Sequence, residues 1–154
     1  MPDTTGIRPL VRRADSADAA FVAGLVADAE REMAGFRGGD VLRSEVPGNT
    51  DQTADRTPEP IRLVCEMYGE VVGCLLAVTS ATTVTVVRVF VCADARGHGC
   101  GDAMIAELLD EARRRGTERV DGWALPGDRE TKNLYERNGL TARAIIASRQ
   151  LNTE

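Results

Sequence analysis

The stretch of this chain best suited to chemistry is Arg96-Gly97-His98-Gly99-Cys100-Gly101, read straight into a helix that starts at Asp102. A helix N-terminus leaves backbone N–H groups unpaired and carries about half a positive charge. Glycines remove the Cβ atoms that would hold a diphosphate away from those amides. Arg96 adds a cation beside them. A Val-rich strand, Val84 to Cys92, leads into the loop, so the unit is strand, glycine loop, helix, which is a physical anion site. Three ligand readings compete. A dinucleotide fingerprint needs G-x-G-x-x-G, but counting from Gly97 the last position is Asp102. A nucleotide-hydrolase phosphate loop needs a Lys-Ser/Thr pair, which this loop lacks. The third pattern, Arg/Gln-x-x-Gly-x-Gly/Ala opening a long helix, is matched in full by Arg96, Gly99 and Gly101.

A second segment, Asp128-Arg129-Glu130-Thr131-Lys132-Asn133-Leu134-Tyr135, followed by Gly139-Leu140, reads as an amphipathic helix with its stop. On these two motifs the chain resembles the GNAT superfamily of N-acetyltransferases. The resemblance follows the order of elements over nearly the whole chain and is specific over about Val84 to Leu140. It implies that the amides of Gly97, His98, Gly99, Cys100 and Gly101, with Arg96 and Asp102, surround the pyrophosphate of acetyl-CoA. It also implies that the backbone of Val89, Phe90 and Val91 pairs like a strand with the pantetheine arm. One amide there would stabilise the oxyanion formed from the thioester. Tyr135 matches the tyrosine that protonates the departing thiolate. That transfer is not steeply uphill from a phenol of pKa about 10 to a thiol of about 8.5. Asp128 stands where the family usually has Asn; it caps the helix and accepts hydrogen bonds but donates none. Asp102 stands where many members carry a cation.

Aminolysis of a thioester needs a neutral amine, yet Val84 to Cys92 holds no carboxylate. His98, the one histidine, lies inside the glycine loop and reads as a loop-surface or phosphate-adjacent group. Glu30, Glu32, Glu45 and Glu66 are further candidates, each reading first as a surface charge. The base stays unassigned. Trp123 reads as a core aromatic or as a wall of the acceptor cleft, with the core preferred. Arg88 suits either an acceptor carboxylate or the surface.

The elements that must hold these groups follow from periodicity. Ile7–Arg13 reads as a strand, and Asp15 or Ser16 caps a helix running to about Met33. Gly35 to Pro60 is rich in Gly, Pro, Asp and Thr and reads as a long mobile loop, with a possible helical turn near Val41–Glu45. Ile61–Tyr68 and Val71–Thr79 form a hairpin at Gly69-Glu70. After Val84–Cys92 come a helix over Asp102–Arg115, a strand over Arg119–Leu125, a helix over Asp128–Asn138 and a last strand over Leu140–Leu151. This order predicts an α/β (α+β) fold: a mixed, mostly antiparallel sheet of about six to seven strands flanked by about four helices.

The chain's 154 residues suit one domain over 1–154, with 43% apolar and 28% charged residues in the ordinary globular range. Its net charge of −5 argues against general attraction to nucleic acid or an anionic membrane. Met1–Gly6 holds no apolar run of signal-peptide type. Cys65, Cys74, Cys92 and Cys100 contain no CxxC pair, which argues against zinc. They read as reduced thiols of a cytoplasmic protein, although Cys65 and Cys74 flank the hairpin and one register would let them form a disulfide. The resulting expectation is a cytoplasmic N-acetyltransferase that uses acetyl-CoA as co-substrate and no metal. Its acceptor is a small-molecule or peptide amine, and a homodimer is possible. The alternatives are a non-catalytic acyl-CoA-binding module on the same fold and, on loop spacing the weakest, a nucleotide-binding protein.

Overall fold

A computed structural model describes residues 8–37, 39, 58–149 and 151. Five strands, β1 (Leu10–Arg13), β2 (Ile61–Met67), β3 (Glu70–Ser80), β4 (Thr83–Val91) and β5 (Arg119–Gly122), form one sheet in chain order. The first four are antiparallel neighbours. Helix α2 (Cys100–Arg114) is the crossover that lays β5 parallel to β4. Helix α1 (Ala19–Ala34) lies between β1 and β2 in sequence, and α3 (Arg129–Arg137) follows β5.

Strand alternation divides the core between the two faces of the sheet. Leu63, Cys65, Leu75, Ala77, Val84 and Val86 bury against Met104, Ile105, Leu108 and Ala112 of α2 and against Leu134 and Tyr135 of α3. Full burial of Met104, Ile105 and Leu108 stabilises the fold by about 2 kcal/mol each. Val64, Cys74 and Val78 occupy the opposite face. There α1, with Leu25 and Ala29 buried, contacts β3 and β4.

One irregularity sets up the site. Leu76 pairs with Arg88 and Ala77 with Val86, which leaves Val87 as an extra residue in β4. Such a bulge shifts the alternation by one residue. Val89 therefore continues the α2 face, packed on the main core, while Arg88 turns to the α1 face, 3.8 Å from Glu30. Without the bulge, the period of two would drive Arg88 into the apolar core behind Val84 and Val86. Pairing of β4 with β5 ends at Val86 and Gly122, just before the bulge, and the strands part beyond it.

The fold class stands, but the strand and helix numbers are corrected to five strands and three α-helices among the described residues. The expected last strand is not formed: residues 141–149 run exposed without regular structure, with Ile145 93% exposed. Alanines, Ser148 and arginines surround its two isoleucines and bury little apolar area, and β5 offers only a four-residue edge. The strand expected to reach Leu125 stops at Gly122. Cys65 faces Gly73 and Cys74 faces Val64, so these cysteines sit on adjacent rungs and point to opposite faces; both are free thiols. Most of the Gly35–Pro60 loop, including the stretch where a turn near Val41–Glu45 is expected, lies outside the described residues, as does Ile7.

Candidate active site

Where β4 and β5 separate, a cleft of about 570 Å³ opens. Val87–Val91 of β4 form one wall and Trp123, Ala124 and Leu125 the other; α1 adds Ala29, Glu32 and Met33, and α3 adds Leu134 and Tyr135. The glycine loop closes one end. Helix α2 begins at Cys100, two residues earlier than the periodicity suggested, because Gly99 adopts a left-handed cap (φ 85°) and its carbonyl accepts the first helical bond, from Ala103 N at 2.9 Å. Gly97 has φ 83°, and nothing lies within 4 Å of the place a Cβ would take at either glycine. The amides of Cys100, Gly101 and Asp102 thus form the first turn, which has no intrahelical carbonyls to bond. The loop is an open cradle at the positive end of a four-turn helix.

Val89, Phe90, Val91, Arg96, Gly97, Gly99, Cys100, Gly101, Asp102, Asp128 and Tyr135 all line this cleft; His98 does not and is exposed. Cys100 as a whole is 2% exposed, with its Sγ 3.3 Å from Met67 Sδ. Burial pushes the Cys65 thiol up to about 12 and the Cys74 thiol up to about 11, and raises Cys100 as well. These thiols serve as packing groups, not nucleophiles.

Arg96 ties the loop to its surroundings. Its Nε donates to the Val91 carbonyl (2.9 Å), its Nη2 and Nη1 donate to the Glu32 carboxylate (2.7 and 3.1 Å), and its guanidinium stacks 5.3 Å from the Phe90 ring centre. Glu130 is 3.5 Å away. Asp102 is neutralised by α3: Arg137 donates to both its oxygens at 3.3 Å and Asn138 Nδ2 to Oδ1 at 2.8 Å. The helices meet closely because a Cβ at Gly101 would come within 3.1 Å of Leu134. Sequence reasoning missed Arg137; the available signal was an unpaired acid at the head of one helix and a cation at the tail of the next.

Asp128 caps α3, accepting from Thr131 N (3.1 Å) and Thr131 Oγ1 (2.6 Å). Tyr135 is 7% exposed, and its hydroxyl donates to the Trp123 carbonyl at 3.2 Å. Burial raises its pKa above the ordinary phenol value, and the negative charge of Asp128 adds to this. Tyr135 therefore stays protonated across the physiological range. Trp123 is half-buried in the cleft wall, not in the core. Arg88, 13% exposed, also lines the cleft instead of the surface. Of the carboxylates considered as base, Glu32 faces the cleft, and Glu66 lies elsewhere, bonded to Arg12 at 3.1 Å. Glu45 lies outside the described residues.

Residues 18–140 match the Acetyltransferase (GNAT) family. No curated protein matches the sequence significantly. Among solved structures, the chain resembles a ribosomal-protein-alanine N-acetyltransferase from Brucella melitensis biovar Abortus 2308, with a TM-score of 0.65 at 20% identity over 95% of this chain and 99% of that one. A Bacillus halodurans protein gives a TM-score of 0.75 at 17% identity, over 92% and 99% of the two chains. The aminoglycoside N-acetyltransferase AAC(6')-Iy, solved in complex with CoA, gives 0.67 at 13% identity over 97% and 99%. At these identities the likenesses establish the fold. With a family match that spans most of its length, the chain belongs to the GNAT acetyltransferase family. No helix among the described residues is long and apolar enough to cross a membrane.

Proposed function

We propose that this protein is an N-acetyltransferase that moves the acetyl group of acetyl-CoA directly to an amine. The observation that carries this reading is one cleft holding three groups with separate tasks: a glycine cradle at the head of α2, a stretch of β4 released from its neighbour, and a buried phenol. The cradle fits a diphosphate. Gly97 and Gly99 keep it open, and first-turn amides with a helix dipole complement the charge. Asp102, which alone would repel an anion, is compensated by Arg137. The backbone of Val89–Val91, beyond the last β4–β5 rung, is suited to strand-like pairing with the pantetheine arm. The bound thioester supplies the activated acyl group.

Tyr135, kept neutral by burial, turns its one O–H from the Trp123 carbonyl to the departing sulfur. Because burial makes the phenol a weaker acid than the expectation from a free tyrosine, it stabilises the leaving thiolate by a hydrogen bond more than by complete proton transfer. Met33, Phe36 and Leu125 give the cleft apolar walls, and holding both substrates in one cleft supplies much of the rate. The amine attacks in its neutral form, so kcat/KM rises with pH until the amine is deprotonated. Neither a peptide nor a small-molecule acceptor is preferred by the charges of the cleft, which alternate in sign.

Thiol release from acetyl-CoA, measured over peptide, amino-acid, polyamine and aminoglycoside amines, tests the proposal. Turnover with at least one amine, reduced in Tyr135→Phe, is expected. Coenzyme binding with no turnover on any amine would replace this reading with a non-catalytic acyl-CoA-binding module. Preference for ATP or NAD over acetyl-CoA in titration would end both.

A further inference from the structure

Gly122 is the last residue of β5 and pairs with Val86 on the rung just before the strands part. It is not a turn residue, and its φ lies outside the left-handed region, so alanine fits its backbone. Space is the constraint. A Cβ at Gly122 would stand 2.5 Å from Cζ of Tyr135 and 2.8 and 2.9 Å from its two Cε atoms. The hydroxyl-bearing end of the phenol ring therefore lies flat on the Gly122 backbone, and this lets its oxygen reach the Trp123 carbonyl next door. Gly24, by contrast, has nothing within 4 Å of its Cβ position.

We propose that Gly122 is a positioning residue: its missing side chain seats the Tyr135 ring so that the hydroxyl enters the cleft where β4 and β5 separate. This rests on the proton-donor reading of Tyr135 given above. Any side chain at position 122 would lift the ring and carry the hydroxyl away from the reacting sulfur, while leaving the diphosphate cradle untouched.

The test is a double-mutant cycle on the full chain, with acetyl-CoA and an active amine. Gly122→Ala is expected to lower kcat by the same factor as Tyr135→Phe, about 10²-fold, because both remove one positioned proton donor. KM for acetyl-CoA should stay within about threefold, since ground-state binding is not altered. The double variant should be no slower than either single one, and Gly24→Ala should match wild type. Additive losses in the double variant, or a change confined to KM, would overturn the proposal. With tyrosine ring carbons labelled, the Tyr135 Cζ resonance should shift in Gly122→Ala; an unmoved resonance also overturns it. An unchanged kcat in Tyr135→Phe together with a shifted resonance instead removes the donor reading, and the positioning role with it. If Gly122→Ala folds poorly, adding Tyr135→Leu should restore Tm by removing the ring; failure to restore it counts against the proposed contact.

Discussion

Two arginine–carboxylate clusters lie at opposite ends of α2 and behave differently. Near its C-terminus, Glu111 accepts from Arg13 at 2.8 Å, from Arg114 at 2.7 and 3.0 Å and from Arg115 at 3.1 Å. Its side chain is 10% exposed, and Arg115 also reaches the Glu59 carbonyl at 2.7 Å. Near the N-terminus, Arg96 and Glu32 meet at 2.7 Å with side chains 30% and 38% exposed. The first cluster joins β1, α2 and the approach to β2 into one knot, in which one carboxylate accepts from three guanidiniums. The second spans α1 and the glycine loop at the edge of the cleft, where water competes for both partners. Buried, multiply bonded charge builds the scaffold; half-exposed charge at a cleft can be rearranged by a ligand at little cost.

The largest expected effect falls on the knot. Glu111→Ala removes the carboxylate partner of Arg115, whose side chain is 18% exposed, while Arg13 and Arg114, 67% and 57% exposed, turn to water. It should lower stability by about 2–3 kcal/mol, read from urea unfolding. A loss below about 1 kcal/mol would put this cluster in the class of surface pairs and break the comparison. Acid should act through the same groups. Arg114, then Arg115 and Arg13, hold Glu111 at about 2 against an ordinary 4.5; Arg12, with the Asp15 backbone, holds Asp18 at about 2 against 3.8. With folded values lowered, their stabilisation is full above the ordinary values and is lost as pH falls through them toward about 2. Glu111→Gln should flatten the unfolding free energy over that window.

In the cleft, Tyr135→Phe should reduce kcat by about 10²-fold, equivalent to about 2.7 kcal/mol in the barrier, without changing Tm by more than a few degrees. The wild-type rate should show no falling limb from phenol ionisation up to pH about 10, since burial raises that pKa. Gly99→Ala, which forces a side chain into φ 85°, should cost about 1–2 kcal/mol and weaken coenzyme binding in calorimetry. The smallest change is expected for Glu32→Gln: less than about 1 kcal/mol in stability, with tighter coenzyme binding as Arg96 is released toward an anion. Weaker binding would show that Glu32 helps build the cradle.

The glycine loop, its strand and its helix were legible because each rests on rules acting within a turn or a strand period. Asp128 as a cap and Gly116 and Gly139 as stops follow from the same local rules. The tail after Leu140 misled because β propensity alone does not make a strand; a partner edge and a face to bury are also required. Trp123, for which the sequence leaves core and cleft wall both open with core preferred, stands in the cleft wall because β5 ends one residue before it.

From its own residues, this chain determined the order of its elements as far as Leu140, the glycine loop at the head of α2 and the helix that carries Tyr135, since these depend on neighbours a few positions apart. Tertiary structure decided that a bulge at Val87 sends Arg88 to the α1 face, that Arg137 neutralises Asp102, that Arg96 pairs with Glu32, and that Tyr135 rests on Gly122. The last three join residues 13 to 64 positions apart, and the bulge exists only against a neighbouring strand. Their energies come from burial and charge pairing that arise only when separate elements pack together.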